Sequence, residues 1–126
     1  MKLMTKKIEN KLIKQHKESV SNCEVDWSRI HKPWLKLFCG NFNRIYAWLL
    51  SEYNPDTGIF FGLCDLGLGL PEMGYVSLDE LKNFALPPQK KPQIFYPFVK
   101  RDKFFVPNSP LWHYYIVAKE EKRIIA

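Results

Sequence analysis

The chain has 126 residues, 46% of them hydrophobic and 25% charged. Those are the proportions of a single globular domain, residues 1–126, with one core that needs neither disulfide nor metal to hold it. No apolar run reaches the length of a membrane span, and no apolar signal region follows the lysines at the N terminus. A cytoplasmic location with no membrane partner is therefore expected. The net charge of +6 excludes a wholesale mimic of nucleic acid, which needs strong negative charge.

That charge is unevenly placed. Residues 1–45 carry ten Lys/Arg against four Asp/Glu, residues 86–126 carry eight against three, and residues 46–85 carry one against six. Basic flanks suit a phosphate backbone or an acidic protein; equally, they pair with the acidic middle inside the fold or lie solvated on the surface. Cys23, Cys39 and Cys64 are odd in number and form no Cys-x-x-Cys pair, so they read as small buried hydrophobes in a reducing compartment. The aromatic fraction of 15% is high. Rings at that density fill a small core or lie on a binding surface.

In chain order, Thr5 is an expected N-cap for a helix from Lys6 to about Lys17. Ile8 and Leu12 form a narrow apolar stripe, and Lys7, Lys11 and Lys14 line another face. Residues 19–32 lack periodicity and read as a loop, with Trp27 anchored back on the core. A first strand is expected over Trp34 to Phe38, a Gly/Asn turn over residues 39–43, and a second strand over Arg44 to Tyr53. Ala47, Leu49 and Leu50 also suit a helix, but the short turn favours a hairpin. Asn54-Pro55-Asp56-Thr57-Gly58 is a strong turn signal, and Ile59 to Cys64 continues the meander as a third antiparallel strand.

Residues 60–81 are the most constrained stretch. Gly62 within the apolar run marks a place where another group approaches closely. Asp65 ends the run. Leu66, Leu68 and Leu70 then alternate with Gly67 and Gly69, which accept positive φ; the expectation is a tight turn that plugs the core with three leucines. Pro71 follows, Gly74-Tyr75-Val76 is extended, and Ser77-Leu78-Asp79-Glu80 is a capping box for a short helix. A phosphate cradle fits poorly: no Lys-Ser/Thr pair follows, and Gly67-x-Gly69 lacks a third glycine and a helix opening directly after it.

The run FGLCDLGLGLPEMGYVSLDEL, Phe61 to Leu81, resembles the signature of a bacterial family, domain-of-unknown-function family 2958, found in small proteins of plasmids and other mobile elements. Leu3 to Lys6, Lys36-Leu37-Phe38 followed by Ala47 to Leu50, and Arg101-Asp102 with Phe104 resemble further parts of it, in the same order. The resemblance implies an α+β domain and a mobile-element setting, and it also favours a strand over residues 44–53. It supplies no catalytic residues. The basic, Pro-rich segment Pro87 to Pro97 and the aromatic tail from Leu111 depart from the family's pattern.

Beyond the signature, Leu86 to Pro92 reads as an exposed breaker, Gln93 to Val99 as an edge strand on account of Pro97, and Phe104 to Val106 as a last short strand. The final helix is expected to start with Ser109 as cap and Pro110 at its first position. Leu111, Tyr114, Tyr115 and Ala118 form its apolar face. The whole is an α+β fold: a small antiparallel sheet, a meander of three or four strands plus an edge strand, with N-terminal, middle and C-terminal helices.

Candidate chemistry is sparse. His31 and Cys23 lie too far apart in sequence for a compact ligand pair, and His16 and His113 have no partner at helical spacing; no metal and no cofactor are expected. Cys64 as a thiol nucleophile, with His31 or His113, is set against its apolar surroundings, which keep a thiol inert. Asp65 and Glu72 flank the glycine turn as a carboxylate pair for acid–base work, or Asp65 simply accepts turn amides. Lys90, Lys91, Lys100, Arg101 and Lys103 interleave with rings that include Tyr96 and Phe104, a pattern shared by single-strand binders and by half-buried strands. The expected function is that of a non-enzymatic accessory protein of a mobile element, binding a protein or nucleoprotein of the host or of the element, with interference in host defence as its role. Direct single-stranded nucleic-acid binding through residues 90–105 is the alternative. A small enzyme built on Asp65 and Glu72, with the glycines Gly62, Gly67, Gly69 and Gly74 shaping its pocket, comes third.

Overall fold

The turn signals of the first half divide the chain into strands that pair with their sequence neighbours, and a later strand joins the far side. A computed structural model describes residues 3–41, 44–86 and 96–126. The elements are α1 (Lys6–Ser21), a 3-10 turn (Trp27–Arg29), β1 (Leu35–Gly40), β2 (Ile45–Asn54), β3 (Ile59–Asp65), β4 (Glu72–Ser77), α2 (Leu78–Asn83), β5 (Tyr96–Arg101) and α3 (Leu111–Glu121). The five strands form one antiparallel sheet in the order β4-β3-β2-β1-β5. This is the expected α+β class. Gly74-Tyr75-Val76 belongs to a full fourth strand, and β5 occupies an edge, as Pro97 requires.

The two faces of the sheet are covered differently. On the first, Leu35, Leu37 and Cys39 of β1, Trp48 and Leu50 of β2 and Phe60 of β3 form a core with Leu12 of α1, Leu81 of α2 and Val99 of β5. Each fully buried leucine there contributes roughly 1.5–3 kcal/mol through the water it sheds. On the second face, Leu49 and Leu63 pack against Leu111 and Ala118 of α3, joined at the margin by Phe61, Met73 and Tyr114. Strand alternation therefore directs Lys36, Phe38 and Ala47 to this second face, where α3 covers the β2–β3 side.

Local chemistry explains the element ends. The Thr5 hydroxyl accepts the Ile8 amide at the start of α1. Asn54 accepts the Gly58 and Asp56 amides in the β2–β3 turn. Ser77 and Glu80 complete the expected capping box, with both reciprocal hydrogen bonds present.

Four expectations are corrected. The α1 helix runs on to Ser21 because Gln15 and Ser19 on its last turns find buried acceptors on β2: Gln15 donates to the Ser51 carbonyl at 2.6 Å, and Ser19 donates to the Glu52 carboxylate at 2.6 Å. The Ser19–Lys32 loop is accordingly shorter and holds the 3-10 turn. Phe104 to Val106 is not a strand; Asp102 accepts the Phe104 amide and folds the chain into a turn after β5. Pro110, not Ser109, is the N-cap of α3, with no side-chain hydrogen bond to the helix.

The fourth correction concerns the signature turn. Gly67 and Gly69 do take positive φ, 73° and 76°, but Leu66, Leu68 and Leu70 are all exposed, Leu68 at 63% and Leu70 at 67%. The core beneath is already filled by Cys64 and Leu63, and Pro71 rather than any of these leucines is buried. The left-handed glycines carry the turn outward, and its leucines face solvent.

Candidate functional site

The residues singled out in the signature do not converge. Asp65 is buried at the end of β3, and its two carboxylate oxygens accept the Gly67 amide at 2.9 Å and the Ile124 amide at 3.0 Å. It is a structural acceptor that ties the turn to the segment after α3. Glu72 pairs with Cys64 across β3 and β4, so alternation puts its side chain on the face opposite Asp65. The proposed acid–base pair is not assembled. Gly62 pairs with Gly74 and lies against the β2 backbone, which makes both glycines part of the sheet.

Cys64 is no activated nucleophile either. Burial pushes its thiol up to about 11, with the Glu80 charge adding to the effect, and burial likewise raises Cys39 to about 11. Cys23 is exposed. In the native protein a disulfide reagent is expected to modify one thiol rapidly at neutral pH, that of Cys23, with Cys39 and Cys64 reacting only on unfolding. Mass spectrometry of the labelled peptides checks this; fast labelling of Cys64 would contradict its packing.

Of the basic-aromatic segment, Lys90 and Lys91 lie outside the described residues. Tyr96 and Lys100 meet on the second face of the sheet. The Tyr96 ring stands edge-on to Phe38 with centroids 5.6 Å apart, and the Lys100 ammonium lies 4.7 Å from the Tyr96 centroid. Arg101, opposite Leu37, belongs by alternation to the first face and leaves this group. Lys103 is exposed, and Phe104 is 94% exposed at the tip of the Asp102 turn. That turn is held by Lys36, whose ammonium is 3.3 Å from Asp102 while the Lys36 carbonyl accepts the Asp102 amide.

Next to this platform is a feature that linear reading missed. Phe38 pairs with Ala47, and Ala47 with Asp65. Over Ala47 opens a cleft of about 310 Å³ rimmed by Arg44, Lys122 and Arg123. Arg44 precedes β2, donates to the Leu66 carbonyl at 2.8 Å and lies over the Tyr46 ring. Lys122 ends α3 in the left-handed conformation, φ 61°. Their separation in sequence, residue 44 against residues 122–123, hides the cluster. The cross-strand row Lys100, Phe38 and Ala47 puts the Tyr96–Phe38 pair and this cationic cleft on the same face of the sheet.

A second unforeseen cleft, of about 460 Å³, lies at the other end of the second face. Its floor is the cross-strand row Glu52, Phe61 and Tyr75; its walls are Trp27 and Trp112. Glu52 is only 8% exposed. Besides Ser19, its carboxylate has His31 Nδ1 at 3.4 Å and His16 Nδ1 at 3.9 Å, while His31 Nε2 is 3.7 Å from Glu18. Trp27 stacks on His31 with centroids 4.9 Å apart. At the rim, hydrogen bonds from Ser28 and Arg29 hold Asp26 below the usual carboxylate range despite some desolvation, and Arg29 lies 4.1 Å over Trp112. The one trace of this site in the sequence is a Ser51-Glu52 step inside a strand that is otherwise apolar or aromatic from Ile45 to Tyr53. Among the described residues, no three His, Cys, Asp or Glu side chains are placed to hold a metal ion, and no helix is long and apolar enough to cross a membrane.

The fold and these surfaces define an α+β protein with an open antiparallel sheet and two clefts on one face. The profile of the family described as Protein of unknown function (DUF2958) matches residues 3–125, and the chain belongs to that family. No curated protein and no solved structure matches the chain.

Proposed function

We propose that the protein is a non-enzymatic accessory protein of a mobile genetic element that acts in the cytoplasm by binding single-stranded nucleic acid, its role being to interfere with a host defence system. The mobile-element setting is supported by the resemblance of the signature run alone. The binding mode is supported by one observation above all: the paired rings of Phe38 and Tyr96, with Lys100 over Tyr96, share a sheet face with the cleft rimmed by Arg44, Lys122 and Arg123, and the exposed Lys103 and Phe104 follow at the far end of β5. Rings on an open sheet face stack unpaired bases, and cations beside them track the phosphates. Duplex DNA keeps its bases stacked away from such rings, so a preference for single strands follows.

The test is fluorescence anisotropy with labelled oligothymidine and a duplex of equal length across a salt series. The wild type is expected to prefer the single strand. A Lys100→Ala/Lys103→Ala/Arg123→Ala variant should lower the slope of log affinity against log salt by roughly 2, at about 0.7 per lost contact. Phe104→Ala should weaken binding by about 1–3 kcal/mol with the slope unchanged, since stacking involves no counterion. All four side chains are substantially solvent-facing, so the fold survives these changes. No binding at low salt, or equal affinity for the duplex, would sink the proposal.

A further inference from the structure

The opposite edge of the sheet carries a different surface. β4 is the terminal strand, and its outer side pairs with no other strand among the described residues. Its sequence, Glu72-Met73-Gly74-Tyr75-Val76-Ser77, has no Lys and no Pro, the residues that ordinarily keep an edge from pairing with another chain. Tyr75 is 77% exposed although its ring packs on Phe61 at 5.1 Å. Two clefts meet at Tyr75 and Met73. On one side is the Glu52 cleft; on the other, a pocket of about 250 Å³ lined by Leu66, Leu68, Leu70 and Cys64. The exposed leucines of the signature turn thus border a strand with a free edge.

From these features we infer that β4 binds an extended peptide as a sixth strand, and that the peptide carries a lysine or arginine flanked by apolar residues. An added strand places alternate side chains on the two faces of the sheet. The apolar side chains meet the leucine pocket. A long basic side chain crossing Tyr75 enters the Glu52 cleft, where its methylene stem lies against the Phe61 and Trp112 rings. Its cation is then directed at the inner carboxylate. The charge of this edge selects the partner. Glu52 and Asp26 line the cleft, Glu72 lies on the strand, and Asp79 and Glu80 follow it. Among the described residues no Lys or Arg lines the cleft, and Arg29 beside it is already paired with Asp26 at 3.1 Å. An acidic peptide has no counter-charge here.

This site is separate from the basic-aromatic surface on β5, so each is tested without the other. The probe is a capped nonapeptide of alternating valine and threonine with a central lysine, titrated into ¹⁵N-labelled protein. Its control carries glutamate at the centre. The backbone amides of Met73 to Val76 and the indole N–H groups of Trp27 and Trp112 are expected to shift together. The lysine peptide should bind at least tenfold more tightly than the control. Tyr75→Asp and Leu68→Asp, at exposed positions that leave the fold intact, should each reduce binding at least fivefold. Glu52→Gln should abolish the preference for lysine while retaining residual β4 shifts. Absence of β4 shifts at millimolar peptide would overturn the inference, as would equal binding of the two peptides. Concentration-dependent β4 shifts without peptide would also overturn it, by making a second copy of this chain the occupant.

Discussion

Gly62→Ala is expected to destabilise the fold by about 3–5 kcal/mol, at the severe end for a single methyl group. An added Cβ would meet the Leu49 carbonyl oxygen and lie 2.7 Å from the Leu50 Cα. Both are backbone atoms of the central strand, and neither moves without prising β2 from β3. The β2 register shifts between Leu50, the partner of Gly62, and Glu52, so the close approach lies beside a bulge. Gly74, directly paired with Gly62 on β4, has open space where its Cβ would go; Gly74→Ala should therefore be close to neutral. Urea unfolding of the two variants checks the contrast. Similar midpoints would mean that the close approach at Gly62 is not there.

The second large effect is expected at Asp65. Asp65→Ala removes the acceptor of two amides in one part-buried site, and each amide left without a partner costs about 1–3 kcal/mol. A total near 2–4 kcal/mol is expected, because water reaches part of the opened site. Asp65→Asn keeps one carbonyl acceptor and should fall between wild type and alanine. Native-state hydrogen exchange separates this from general loosening. In Asp65→Ala the Ile124 and Gly67 amides should lose protection beyond the global change in stability. Uniform loss over the whole sheet would refute the local tie.

What could be read from the sequence was what local chemistry decides. The Asn54–Gly58 turn, the Ser77–Glu80 box and the Thr5 cap each use hydrogen bonds within four residues, and each forms where its residues indicated. Pro97 likewise marked an edge strand. The leucines of the signature turn were misread because alternation with glycine fixes a turn but not its direction. Which way they pointed depended on space already taken by Leu63, Cys64 and Pro71. Phe104 to Val106 has strand propensity, but the Asp102 side chain offered the backbone a turn instead. Both clefts draw on distant segments. Arg44 meets Lys122 and Arg123 only because β2 lies beside the segment that follows α3. Glu52 meets His31 because β1 begins too late to cover that end of β2, leaving room for the chain before it. The Glu72 and Asp65 pairing failed through register alone: Glu72 lies opposite Cys64, and Asp65, the next residue along β3, faces the other way.

The strand order has a further consequence, for how the chain comes apart. β1 to β4 are stitched between sequence neighbours, whereas β5 joins β1 through the pairing of Leu37 with Arg101, and its register shifts between Phe38 and Gly40. Closing that loop of roughly 60 residues costs entropy that the short hairpins never face, and the irregular ladder offers fewer bonds in return. β5, whose outer side is tied among the described residues through Ala85 and Leu86, is therefore expected to join the sheet after the hairpins and to open before them. Each excursion carries off Tyr96 and Lys100 and leaves Phe38 bare. Half of the surface proposed to bind nucleic acid therefore rides on the strand held by the longest loop closure, whereas the β4 edge is joined to its neighbour by a short connection.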